Sequence, residues 1–141
     1  MKFILSLFLI IIGSQSYATN LRESHWTLRK VQCASGPSPS IPASIRYDLH
    51  FLNDMKAEVA ILRSSDWVVM RGAYALNGPK GLCLDLNEHI YSGQPSQQTT
   101  DSWCGEYDIT GDVLSFTWVV TSPNGGDCPK DVPVTASFEK M

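Results

Sequence analysis

The sequence predicts an all-β fold, an eight-stranded antiparallel up-and-down barrel, from three observations. Apolar side chains recur at every second position in segment after segment between Trp26 and Phe138, the period of a strand with one buried face. Short clusters of Asn, Asp, Gly and Pro separate these segments, which makes sequential neighbours antiparallel. No segment between them carries a helical period. Eight strands in a meander close on themselves and so remove both exposed edges. Alternation by itself does not separate a barrel from a two-sheet β-sandwich, which is the alternative architecture.

The first strand carries Trp26 and Leu28, then Val31 and Cys33. That change of parity places a bulge near Arg29-Lys30. Ile45, Tyr47, Leu49 and Phe51 oppose Arg46, Asp48 and His50, and Met55 to Ile61 repeats the pattern after a turn at Asn53-Asp54. Wound as a helix, either segment would scatter its apolar residues around the circumference. Val68, Met70, Tyr74 and Leu76 share the next face, and Gly72 leaves a gap in it. After the Asn77–Gly81 turn, Leu82, Leu84 and Leu86 alternate with Cys83 and Asp85. Tyr107 and Ile109 mark the sixth strand, and Leu114, Phe116, Trp118 and Val120 the seventh. Val132, Val134, Ala136 and Phe138 close the series, and turns at Thr110–Asp112 and Ser122–Gly126 join these last strands.

Ahead of the barrel, Met1-Lys2 and the apolar run from Phe3 to Ile12 lead to Ser16-Tyr17-Ala18, small residues of the kind a signal peptidase reads. The run is shorter than the roughly 20 residues a membrane-crossing helix needs. No cysteine follows it, so no lipid anchor is expected, and no later stretch is apolar enough to span a bilayer. Cleavage after Ala18 is therefore predicted, with residues 19–141 forming a single β-barrel domain that is periplasmic or extracellular. The formal charge of −3 becomes −4 once Lys2 is removed. That balance offers no basic footprint for nucleic acid or an anionic membrane surface.

The four cysteines are Cys33, Cys83, Cys104 and Cys128. An even count in a small exported domain reads as two disulfides. Their wide spacing contains no Cys-x-x-Cys, which argues against zinc. In the barrel, Cys33 ends an upward first strand and Cys128 precedes a downward eighth strand beside it. Closure thus predicts Cys33–Cys128. Cys83 and Cys104 then pair across strands five and six, both pointing outward.

The predicted inner face includes Trp26, Tyr47, Phe51, Tyr74, Tyr107, Phe116, Trp118 and Phe138, with no charged residue among them. An apolar cavity with tyrosine hydroxyls as polar handles is one reading, with Tyr74 and Trp118 as binding residues. The other is a filled core, since an eight-stranded barrel has room only for side chains or one small ligand. Catalysis finds no motif: the sequence lacks a Gly-x-Ser-x-Gly elbow, a His-Glu-x-x-His and a Gly-rich phosphate loop. His50 is expected to project from the outer wall as a solvated residue beside Arg46 and Asp48. Glu88-His89 could reach a metal together with Asp85, but nothing in their spacing enforces convergence, and such a cluster in a polar loop is ordinarily just solvated. Neither a metal nor a cofactor is expected, and paired cysteines are not nucleophiles.

Asn87 to Trp103 is 17 residues without a strand pattern, long enough to suggest a functional loop. It carries Ile90, Tyr91 and Trp103 among Ser, Gln and Thr, aromatic anchors of the kind used in protein recognition. The Ala34–Ser40 segment and the Pro123–Lys130 turn fall at the same end, so that rim is the predicted interaction surface.

An exported domain of this size, a meander along the mature chain and the tryptophan of Ser24-His25-Trp26-Thr27-Leu28 together resemble the calycin-like barrels. These comprise lipocalins, avidins and small bacterial periplasmic protease inhibitors. Ser24 stands where a lipocalin has glycine, and no C-terminal helix or late arginine follows the last strand. The resemblance implies a lipocalin-like barrel with Trp26 packed at its base, and no ligand or catalytic role. The expected function is an exported, disulfide-stapled, non-catalytic binding protein, an inhibitor included, that engages a macromolecule through one rim. The alternative is a carrier of a small apolar ligand inside the barrel; a purely structural envelope domain is a third reading. A monomer is expected.

Overall fold

The computed structural model describes residues 21–119 and 128–141; the predicted signal segment 1–18 and the Ser122–Gly126 turn lie outside the described residues. Eight strands follow in chain order: β1 Ser24–Cys33, β2 Arg46–Phe51, β3 Lys56–Leu62, β4 Trp67–Asn77, β5 Gly81–Tyr91, β6 Gln97–Thr110, β7 Val113–Val119 and β8 Pro133–Lys140. Each pairs antiparallel with its sequence neighbours, and β8 pairs back onto β1. The sheet is a closed up-and-down barrel, which removes the sandwich alternative. The bulge falls where the parity of β1 changes: the register with β8 shifts between Leu28 and Lys30.

Taking β1 as running upward, the turns after Phe51, Asn77 and Thr110 form the base. The segments following Cys33, Leu62 and Tyr91 form the rim, where β7 ends at Val119. The base half is packed with large side chains. Leu21, Trp26, Phe51, Leu82, Leu84 and Leu114 are almost wholly buried, and Tyr74, Tyr107 and Phe116 join them in one cluster. Burying each stabilises the fold by about 1.5–3 kcal/mol. Trp26 is satisfied as well as buried. Its indole N–H donates to Ser24 Oγ at 2.7 Å, and the Ser24 hydroxyl donates in turn to the Leu21 carbonyl.

Both disulfides join the predicted partners. Cys33–Cys128 ties the top of β1 to the segment entering β8 across 95 residues of chain, and Cys83–Cys104 bridges residues directly opposite each other on β5 and β6. Leu82 and Leu84 flank Cys83 on the inside, so this bond lies on the outer wall.

The expected 17-residue loop is a correction. β5 runs on to Tyr91 and β6 begins at Gln97, leaving only residues 92–96 between them. The pairings Val68↔Tyr91, Glu88↔Gln98 and His89↔Gln97 hold these extensions in the sheet. Two things hid them. A register shift between Leu86 and Glu88 breaks the alternation, and the upper barrel carries polar residues where the base carries leucines. Gly72 is likewise explained. A side chain there would overlap the Asp85 carbonyl at a register shift between Arg71 and Gly72, so the gap marks close backbone approach and no space for a ligand.

Candidate functional site

The upper rim is built by β3, β4 and β5. Val68 and Met70 are buried inside, so the alternate residues of β4 face out. Cross-strand pairing then sets Leu62 against Trp67, Ala60 against Val69, and Val69 against Ile90. Side chains directly opposite in a ladder share a face. Leu62, Trp67, Val69 and Ile90 therefore form one apolar patch on the outer wall just below the rim. Leu62 and Trp67 are its most exposed members, at 37% and 41%. Tyr91 is opposite Val68 and so belongs to the inward face, where it stands exposed at the barrel mouth.

The predicted candidates thus separate. Ile90 faces outward and Tyr91 lines the mouth, on opposite sides of one wall. Trp103 lies opposite Leu84 and packs half-buried against the core. Trp118 stacks on Phe116 with centroids 5.2 Å apart and touches both core clusters. Tyr74 is deep in the base, edge-on to Phe51 at 4.9 Å, where burial pushes its hydroxyl pKa above the ordinary value, against a smaller opposing pull from Arg22. Trp67 was absent from the predicted set although the signal was present: it has the outward parity of a strand whose inward residues are Val68 and Met70.

The interior also holds ionisable groups that the predicted inner face lacked. Beyond the β5 irregularity the parity inverts, placing His89 opposite Met70; Asp101 is opposite Leu86. His89 Nε2 and an Asp101 oxygen are 2.9 Å apart at the mouth. Asp85 and Glu88 take separate partners outside, Ser102 and Ser96, so no Asp85–Glu88–His89 cluster forms.

On the outer wall nearer the base, His50 is not the solvated residue expected. Asp48 beside it is only 4% exposed. One Asp48 oxygen accepts from Thr27 Oγ1 at 2.8 Å, and the Arg46 Nε lies 2.9 Å from both oxygens. Burial works to raise the Asp48 pKa, but the bonds from Arg46 and Thr27 and the nearby His25 together hold it below the ordinary carboxylate value. His25 lies opposite His50 in the β1–β2 ladder, and their rings meet edge-on with centroids 3.8 Å apart. Burial, then the neighbouring His25, holds the His50 pKa below the ordinary imidazole value. Thr27 and Arg46 also line a surface groove of about 410 Å³, together with Ile41, Pro42, Ala43 and Ile45.

No protein-family model, curated protein or solved structure matches this chain. The fold stands by itself: a closed eight-stranded antiparallel barrel, consistent with the calycin-like small barrels. Its two disulfides are compatible with an oxidising compartment.

Proposed function

We propose that this protein is an exported, non-catalytic binding protein that engages another macromolecule, an inhibited enzyme among the options, through its upper rim. One observation carries the reading: Leu62, Trp67, Val69 and Ile90 share an outward patch beside the exposed Tyr91. Tryptophan and tyrosine anchors on a rigid scaffold bind at low entropic cost, because few of their rotamers remain to be lost. The closed barrel and two disulfides supply the rigid scaffold. Packing in the base leaves a small apolar ligand only the upper half of the interior, which favours the rim over the carrier reading.

The test places a photo-cross-linking amino acid at Trp67 or Tyr91, and separately at Asn77 on the base, in the producing cells. A discrete protein adduct from the rim positions and none from Asn77 is expected. Equal adducts from rim and base, or none from either, would sink the proposal. A small molecule retained in the native mass spectrum would support the carrier instead.

A further inference from the structure

We infer that His25, His50 and Asp48 form a binding site for a divalent transition-metal ion of the zinc class on the outer wall of the barrel. The inference is independent of the rim. Register does the assembling: His25 on β1 and His50 on β2 are directly opposite, and Asp48 is two residues along β2 on the same face. One ligand atom from each side chain lies within 4.8 Å of the other two. His25 Nε2 is 3.3 Å from Asp48 Oδ2. In a tetrahedral zinc site with ligand bonds of about 2.0–2.1 Å, neighbouring donors sit about 3.3 Å apart. The closest pair already has that separation, and side-chain rotation closes the remaining distances.

A second observation points to a ligand. The Nε2 atom of His50 is shielded from solvent and makes no hydrogen bond among the described residues, whereas His25 Nε2 meets only the Asp48 carboxylate at 3.3 Å. Ring nitrogens paired only for structure would have partners. Two imidazole nitrogens with one carboxylate are a donor set suited to zinc and its neighbours in the transition series.

The surroundings fit a site of this kind. Thr27 fixes one Asp48 oxygen, the outer-shell bond that orients a metal-binding carboxylate. Arg46 contacts both oxygens through a side chain that is 46% exposed, and a metal taking one oxygen would leave it the other. Glu58, opposite His50 on β3, is engaged by Arg71 at 2.7 Å. Water then completes the coordination.

The test uses the mature chain, stripped with chelator and titrated with zinc, and with cobalt as a coloured substitute. One ion per chain is expected. H25Q and H50Q should each abolish stoichiometric binding, whereas T27V should weaken it by about 10-fold or more. H89Q, at the far end of the barrel, should leave it intact. Circular dichroism establishes that each variant folds. Histidine NMR of the unmutated chain provides a readout independent of the variants: zinc should move the His25 and His50 ring signals and spare His89. Stoichiometric binding that survives H25Q or H50Q, that is lost with H89Q, or that is absent from the unmutated chain would overturn the inference.

Discussion

The hydroxyl of Thr27 donates to the buried carboxylate of Asp48 at 2.8 Å, across the β1–β2 ladder and outside the barrel. A carboxylate hidden from water on an outer wall depends on every bond it accepts. Thr27→Val keeps the shape and removes one donor. It should destabilise the fold by about 1–3 kcal/mol, and Thr27→Ser should recover most of the loss. Urea unfolding of the three proteins measures this; equal stability of Thr27→Val and the parent would show that Arg46 suffices.

Trp103 and Trp118 pack against the core, whereas Trp67 and Tyr91 are exposed. Trp118→Ala should cost about 3 kcal/mol or more. Trp103→Ala should cost about 2 kcal/mol, since its burial is partial. Trp67→Ala and Tyr91→Ala should stay within about 1 kcal/mol of the parent while reducing rim binding. Thermal unfolding beside cross-linking yield separates the two groups.

Tyr74 links stability to alkaline pH. Burial raises its pKa above the ordinary 10.0, so the folded state keeps the proton after the unfolded chain has lost it. The contribution of Tyr74 is full below pH 10.0 and is lost as pH rises through the higher folded value. Stability should therefore decline above pH 10.0 with a component that Tyr74→Phe removes. Brief denaturant titrations at stepped pH give the slope, and an unchanged slope in Tyr74→Phe would count against the assignment.

The β2–β3 turn holds a correctable strain. Asp54 and Met55 both have φ of 58°, the left-handed pair of a type I′ hairpin turn. Aspartate tolerates that region and methionine does not. Met55 is 44% exposed, so its side chain has little packing to lose. Met55→Gly should stabilise by about 1 kcal/mol, read as a raised unfolding midpoint. A lowered midpoint would mean that the methionine side chain contributes more than its backbone strain costs.

The disulfides should differ in weight. Cys33–Cys128 closes 95 residues and Cys83–Cys104 closes 21. On the chain-entropy account, removing the first should cost about 4–5 kcal/mol and the second about 3 kcal/mol. Paired serine substitutions test the order, and a reversal would show strain or residual unfolded structure dominating.

Wherever a side chain's surroundings repeat along the strand, the sequence by itself determined the outcome. A buried face demands an apolar residue at every second position, so the eight-stranded meander, its run of inward leucines on β5 and the β1 bulge were legible. Closure into a barrel instead of a sandwich is seen only in the pairing of β8 with β1. The cysteine pairing followed from closure, because joining β1 to β8 leaves Cys33 one neighbour. Tertiary structure alone decided what depends on register between strands. The extension of β5 and β6 rests on backbone pairing of polar residues, which leaves no apolar period to read. Trp67 joins Ile90, and His25 joins His50 and Asp48, only because the ladders stop where they do. Sliding either pairing by one residue would send the same side chains to opposite faces of the wall.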